Sequence, residues 1–327
     1  MYIPSIRFSL WADFIERDFL DGEFKELIAQ GVVNGATSNP AIFKGSILSS
    51  PAYREQLGQL GGHTPKEKYE ALAIYDIQKA ADVLRPLYDR GDDGYVSIEV
   101  DPHLCDDTVG TLAEGRRLYR QINRPNVMIK VPATEAGYAA MEGLAADGIC
   151  VNATLVFTKA QALACARAFQ RAFERSGEPV DTVISVFVSR YDRALDAVLE
   201  TKGVTPALTG IYNASLIYEA VEATGVPKCR TLFASTGVKG DALRPSYYVE
   251  EMLAANTVNT APIDTIKAFV SAGEKTERLP IASGKVADHF AALKGNGVDF
   301  DAVSAQLLSE GLTAFKEAFD EILDALK

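Results

Sequence analysis

A chain of 327 residues, 47% of them hydrophobic and 24% charged, has the composition of a globular protein with a large core. Its 33 Lys and Arg stand against 44 Asp and Glu, a net charge of −11 that excludes nucleic acid as a partner, since phosphate backbones demand clustered cations. No apolar run approaches the ~18 residues of a membrane span, and the opening MYIPSIRFSLWADF lacks the basic start and apolar stretch of a signal peptide, so a cytoplasmic protein away from membranes is expected.

Cys105, Cys150, Cys165 and Cys229 are scattered with no C-x-x-C pair, as suits reduced thiols. His63, His103 and His289 are equally dispersed, and no zinc spacing occurs. His103, near Asp101 and Asp106, reads as a plain loop histidine. The chemistry is expected to need neither metal nor cofactor.

In chain order, short apolar runs predict strands at Ile6–Trp11, Val32–Ala36, Tyr95–Glu99, Val127–Val131, Ile149–Val151, Thr182–Val186, Thr231–Ala234 and near Val258. Helical periodicity falls between them at Glu23–Gln30, Lys66–Arg90, Thr108–Ile122, Glu135–Ala146, Thr158–Arg175, Arg190–Thr201 and Ser215–Glu222. Asn39-Pro40 has the form of an N-cap followed by proline at the first helical position, and Asp106 and Asp107 precede the helix from Thr108. Ser50–Gln59 and the C-terminal Val298–Leu326 are helical without a strand partner, the latter expected to pack over the sheet.

Alternating strands and helices imply a parallel sheet, and eight strands close a TIM (β/α)8 barrel. The rival is a doubly wound open sheet. No G-x-G-x-x-G follows the first strand, and the nearest approach to a phosphate loop, Gly284-Lys285, has Leu279 where its first glycine belongs. With no long linker, residues 1–327 read as one barrel domain with extra helices.

Chemistry in parallel α/β folds gathers at the carboxyl ends of strands. There stand Asp13, Thr37-Ser38-Asn39, Glu99, Lys130, Asn152, Thr154, Ser185, Arg190 and Ser235. Lys130 ends the apolar run of NVMIKVP, where a buried ammonium loses hydration worth several kcal/mol unless a partner or neutrality offsets it. Each residue also has a plainer explanation. Glu99 and Lys130 could form a structural ion pair, Asp13 could cap the next turn, Thr37-Ser38-Asn39-Pro40 could only start a helix, and Arg190 could pair with Asp192 or Asp196. Capping does not explain a lysine and a glutamate both at a barrel mouth. A neutral lysine adds to a ketone to form an iminium, which makes an adjacent C–C bond cleavable. Dehydration then needs an acid, for which Glu99 is at hand, and cleavage needs a base, for which Asp13 remains.

The stretches GATSNPAIF (35–43), YVSIEVDP (95–102), NVMIKVPATEAG (126–137), ICVNATLVF (149–157), ISVFVSRYDRALD (184–196) and LFASTGVKG (232–240) resemble the transaldolases in motif and order across nearly the whole chain, most closely the longer bacterial branch. That resemblance implies a TIM barrel and a class I Schiff-base mechanism in the pentose phosphate pathway. The family moves a dihydroxyacetone unit from sedoheptulose 7-phosphate to glyceraldehyde 3-phosphate, giving erythrose 4-phosphate and fructose 6-phosphate. It further implies Lys130 as the Schiff-base lysine, Glu99 as proton handler through a water, and Asp13 as the base on the C4 hydroxyl. Asn39, Asn152 and Ser185 would hold the dihydroxyacetone hydroxyls, with Thr37 and Ser235 beside them and Thr154 on the water. Arg190 would bind phosphate, and Lys239 would stand in for an arginine many relatives carry after the seventh-strand serine. Phe187 occupies a position held by tyrosine in related sugar-phosphate aldolases, which leans toward transfer; the alternative is a fructose-6-phosphate aldolase-type lyase of the same mechanism. Expected partners are phosphorylated sugars only, with the chain a monomer or homodimer.

Overall fold

The computed structural model describes residues 2–327, except that nothing is said of the Tyr2 side chain. Eight parallel strands follow one another in sequence order around a closed sheet: β1 (Phe8–Ala12), β2 (Gly35–Thr37), β3 (Tyr95–Glu99), β4 (Val127–Pro132), β5 (Val151–Val156), β6 (Thr182–Phe187), β7 (Cys229–Ala234) and β8 (Thr257–Ala261). Closure comes from β1 pairing in parallel with β8, from Ser9 opposite Val258 to Ala12 opposite Ala261. The short segment Tyr2–Ile3 adds antiparallel to β1. The expected TIM barrel is present, and the open-sheet rival is overturned by the β1–β8 pairing.

Side chains alternate between two apolar bodies because the strand period is two. On β4, Val127, Ile129 and Val131 belong to the layer between sheet and helices, while Met128 packs inside the barrel. On β3, Val96 and Ile98 face the helices and Tyr95 faces in. The same parity turns Glu99 and Lys130 inward, one above Tyr95 and the other above Met128. Trp11 fills the barrel's amino end so completely that a Cβ on Gly35 would lie 2.6 Å from its ring.

Several boundaries differ from those read in sequence. The second strand begins at Gly35, not Val32. Gly31 takes a φ of +68°, and the amides of Val32 and Val33 bond back to Leu27, so these valines finish a helix exit. The fifth strand runs over Val151–Val156 instead of ending at Val151. Its inward Asn152 and Thr154 interrupt the apolar run and hide the strand's second half. The helix expected from Ser215 starts at Thr209, whose Thr-Gly-Ile opening has poor helix propensity and is held by the Gly210 amide donating to Asp192 Oδ1 at 2.8 Å. Ile263–Ala272 and Ser283–Gly295 are helices the sequence did not indicate, and the latter contains Gly284-Lys285, which follows no strand. The C-terminal helix, Phe300–Ala325, packs on the helix Pro40–Ser49 and on the barrel, as expected.

Candidate active site

At the carboxyl end of the barrel a cavity of about 320 Å³ is lined by Asp13, Thr37, Asn39, Lys130, Ser185, Phe187, Arg190, Ser235 and Lys239 among the expected residues. Glu99, Asn152 and Thr154 do not line it. They lie buried beside Lys130, whose ladder neighbours are Glu99 on β3 and Asn152 on β5. A larger surface cavity, about 550 Å³ around Arg17 and Lys79, lies elsewhere. Its Arg17 is committed to Asp76 at 2.8 Å.

Lys130 is 5% exposed. Its Nζ donates to the Ser38 carbonyl at 3.1 Å and stands 3.5 Å from Glu99 Oε2. Ser38 is itself tied down by its hydroxyl donating to the Ser97 carbonyl at 2.7 Å. Burial pushes the Glu99 carboxyl up to about 7, with Lys130 opposing. Neither Glu99 oxygen has a hydrogen-bond partner among the described residues, and neither does Thr154 Oγ1. Unpaired buried oxygens are costly in a purely structural pair, and here they border an amine in a cavity wall.

Asp13, partly buried, accepts from Thr37 Oγ1 at 2.7 Å. Burial raises its pKa, while Lys130 and the Thr37 hydroxyl pull the other way. It caps nothing: the following helix, Arg17–Asp21, is capped by Glu16, whose Oε2 accepts from the Phe19 amide at 2.9 Å. Asn39 serves both readings. Its Oδ1 caps Pro40–Ser49 by accepting from the Ile42 amide at 2.9 Å, which leaves the amide group at the cavity. Asn152 Oδ1 accepts from Ser185 Oγ at 2.6 Å and its Nδ2 donates to Ser97 Oγ at 3.2 Å, so inner residues of three strands are linked.

The cationic rim is built by the turns after β6 and β7. The Val188 and Ser189 amides bond the Ala234 and Ser235 carbonyls, and the two serine hydroxyls lie 3.0 Å apart. Ser235 holds a φ of +56°, a left-handed conformation that costs about 1 kcal/mol or more for a non-glycine residue and is typical of functional turns. Arg190 forms no ion pair among the described residues. Asp192, its supposed partner, accepts from Gly210 and, at 2.9 Å, from Tyr248 Oη, while Asp196 accepts from the Ala207 amide. The guanidinium instead stands 5.0 Å over the Phe187 ring. Burial and the neighbouring Arg193 hold its pKa below the ordinary guanidinium value.

Sequence reasoning missed three contributors. Arg193 lines the cavity one turn beyond Arg190 on the same helix, a spacing that was legible once Arg190 had been singled out. Phe315 of the C-terminal helix and Thr260 of β8 also line it, and Ser38 supplies a carbonyl rather than its side chain. No local pattern marks Phe315 or Thr260. The helix comes close because residue 311 is glycine: a Cβ there would meet Leu155 Cδ2 at 2.9 Å and Arg190 Nη1 at 3.0 Å. His103 pairs with Asp320 at 2.8 Å, which ties the loop after β3 to that helix.

A closed parallel barrel with a buried lysine and two carboxylates at its carboxyl mouth, rimmed by Arg190, Arg193 and Lys239, defines a (β/α)8 enzyme of the aldolase type. A family profile described as Transaldolase/Fructose-6-phosphate aldolase matches residues 10–326. A transaldolase of Campylobacter jejuni subsp. jejuni serotype O:23/36 (strain 81-176) is 45% identical over 330 residues, covering 98% of this chain and 99% of that protein. A transaldolase of Helicobacter pylori (strain P12) is 39% identical over 317 residues, covering 97% and 98%. The chain belongs to the transaldolase/fructose-6-phosphate aldolase family.

Proposed function

We propose that this chain is a transaldolase, a transferase of the pentose phosphate pathway that moves a dihydroxyacetone unit from sedoheptulose 7-phosphate to glyceraldehyde 3-phosphate through a Schiff base on Lys130. The carrying observation is the inward amine of Lys130, 3.5 Å from a Glu99 carboxyl poised near neutrality. In the reaction the neutral amine attacks the donor's ketone carbon. Glu99 supplies the proton with which the carbinolamine oxygen leaves as water. Asp13 takes the C4 hydroxyl proton, the C3–C4 bond breaks, and its electron pair is held in the enamine as the aldehyde departs. The acceptor's carbonyl carbon is then attacked by C3, Asp13 returns the proton, and water hydrolyses the iminium.

Phosphate falls to Arg190 as a planar fork, with Lys239 and Arg193 adding charge at the rim. Asn39, Asn152 and Ser185 orient the dihydroxyacetone hydroxyls, with Thr37 and Ser235 beside them. Thr154, its hydroxyl without a partner among the described residues, holds the proton-carrying water with Glu99. Phe187 supports Arg190 by stacking. Among the described residues no helix is long and apolar enough to cross a membrane, and four free thiols suit a reducing cytoplasm. The proposed fold unit is one barrel domain over 1–327, as a monomer or homodimer.

The test is borohydride reduction in the presence of fructose 6-phosphate, followed by peptide mapping. A three-carbon adduct on Lys130 is expected; an adduct on a different lysine, or none, would overturn the assignment. Omitting the aldose acceptor separates transferase from lyase. A transferase stalls after one half-reaction, whereas sustained release of dihydroxyacetone would mean the aldolase activity.

A further inference from the structure

Beside the lysine–glutamate pair, three side chains form a continuous line at the barrel mouth. Thr37 Oγ1 lies 2.7 Å from Asp13 Oδ1 and 2.6 Å from Thr260 Oγ1. A threonine hydroxyl has a single proton to give. With the Thr37 proton donated to the Asp13 carboxylate, the second short contact has to be a donation from Thr260 to Thr37. Direction is thus set from Thr260 through Thr37 to Asp13. We propose that Thr260 is a positioning residue for the reaction, acting through Thr37 to keep the Asp13 carboxylate ionised and aimed into the cavity. This rests on the reading of Asp13 as the base that takes the substrate's hydroxyl proton.

The placement of Thr260 is rigid. It is 3% exposed, lies opposite Trp11 in the closing β1–β8 ladder, and its carbonyl lies 3.0 Å from Thr236 Oγ1, which also contacts the Asn259 side chain at 2.9 Å. The next residue, Ala261, accepts from the Asp13 amide at 2.9 Å. Strand β8 therefore holds Asp13 twice, by its backbone directly and by its carboxylate through Thr37. A hydroxyl that is itself receiving a hydrogen bond is a stronger donor. That polarisation favours the charged carboxylate, against the burial that raises its pKa. The line also works in reverse. Once Asp13 has taken the substrate's proton, it can donate to Thr37, and Thr37 in turn can donate to Thr260.

Other charges around Asp13 are Lys130 from β4 with Glu99 behind it on β3, Arg190 and Arg193 from the helix after β6, and Lys239 from the loop after β7. All of them remain when Thr260 is changed, so a shift in pH dependence isolates the hydroxyl line. The experiment compares pH profiles of kcat/KM for Thr260→Val, which keeps the β-branch and loses the hydroxyl, and Thr260→Ser, which keeps the hydroxyl. Thr260→Val should lower kcat at neutral pH roughly 2- to 10-fold, the worth of one hydrogen bond. Its acid limb should move to higher pH, the borohydride adduct should still form, and Thr260→Ser should restore both kcat and the limb. An acid limb unmoved in Thr260→Val, or a Thr260→Ser variant as impaired as the valine one, would overturn the role. Thr260→Ala serves the same comparison if the valine variant does not fold. An Asp13→Ala variant that cleaves normally would sink the reading of Asp13 as base. An impaired Asp13→Ala with an unshifted Thr260→Val would sink only the part given to Thr260.

Discussion

At the amino end of the barrel, Arg230 Nη2 meets Asp93 Oδ1 at 2.7 Å, and Trp11 Nε1 donates to the other carboxylate oxygen at 3.1 Å. At the carboxyl end, Lys130 and Glu99 are buried to a similar degree, yet they stand 3.5 Å apart and Glu99 has no hydrogen-bond partner among the described residues. The first pair is closed: planar guanidinium, short contact, both carboxylate oxygens used. The second is open, and burial has pushed its carboxyl up to about 7. A buried pair that satisfies its own groups supports the fold, while one left unsatisfied is available for chemistry. The same eight strands carry both, one at each end.

Six experiments would break or sharpen this contrast. Largest is Lys130→Met, which keeps the stem and removes the amine; turnover should fall to background and the borohydride adduct should vanish, while melting temperature holds because the Glu99 carboxyl, already raised by burial, takes a proton once the opposing amine is gone. Asp13→Ala should slow C–C cleavage roughly 10²- to 10⁴-fold with the adduct still forming, read by single-turnover kinetics. At the closed end, Arg230→Met strands the Asp93 carboxylate, so chemical denaturation should show a loss of about 3–5 kcal/mol with kcat of the folded enzyme unchanged. A matching loss of kcat there would erase the distinction between the two ends.

Smaller effects are expected at the rim. Arg190→Ala should raise KM for phosphorylated sugars roughly 10- to 100-fold, the range of a charge-assisted contact, and leave unphosphorylated analogues alone. Gly311→Ala should do the same more weakly, since its Cβ would crowd Arg190 Nη1. Smallest is the pH dependence of stability. The Glu99 carboxyl stands near 7 in the folded protein against an ordinary 4.5, so the folded state binds the proton more tightly than the unfolded chain. Its contribution is fully present below 4.5 and is lost as pH rises through about 7. Stability of Glu99→Gln should therefore fall less than wild type between those values; parallel slopes would mean that Glu99 is not the group that titrates.

How far the residues alone reach depends on the range of the forces involved. Strand parity is local, because a period of two follows from backbone geometry, and it turns Glu99 and Lys130 inward while Val96, Ile98, Val127, Ile129 and Val131 face the helices. The lysine ending an apolar run was therefore legible as chemistry, and so were the Asn39 cap and the order of eight strands. Where inward positions are polar, as at Asn152 and Thr154, the same parity broke the apolar run and hid half of β5. The helix Thr209–Glu222 was read short for a different reason: its opening has poor local propensity and rests on the Asp192 contact.

What only the closed structure decided is which distant groups meet. Thr37 and Thr260 are 223 residues apart and touch because β1 pairs with β8. Phe315 reaches the cavity because a glycine lets the C-terminal helix lie against Leu155 and Arg190. Arg190 is free for an anion because Asp192 is claimed by Gly210 and Tyr248. Local backbone preference set the parity and chemistry of each strand end; the cost of leaving apolar faces and backbone groups unpaired, met only by closing the barrel, brought those ends into one site.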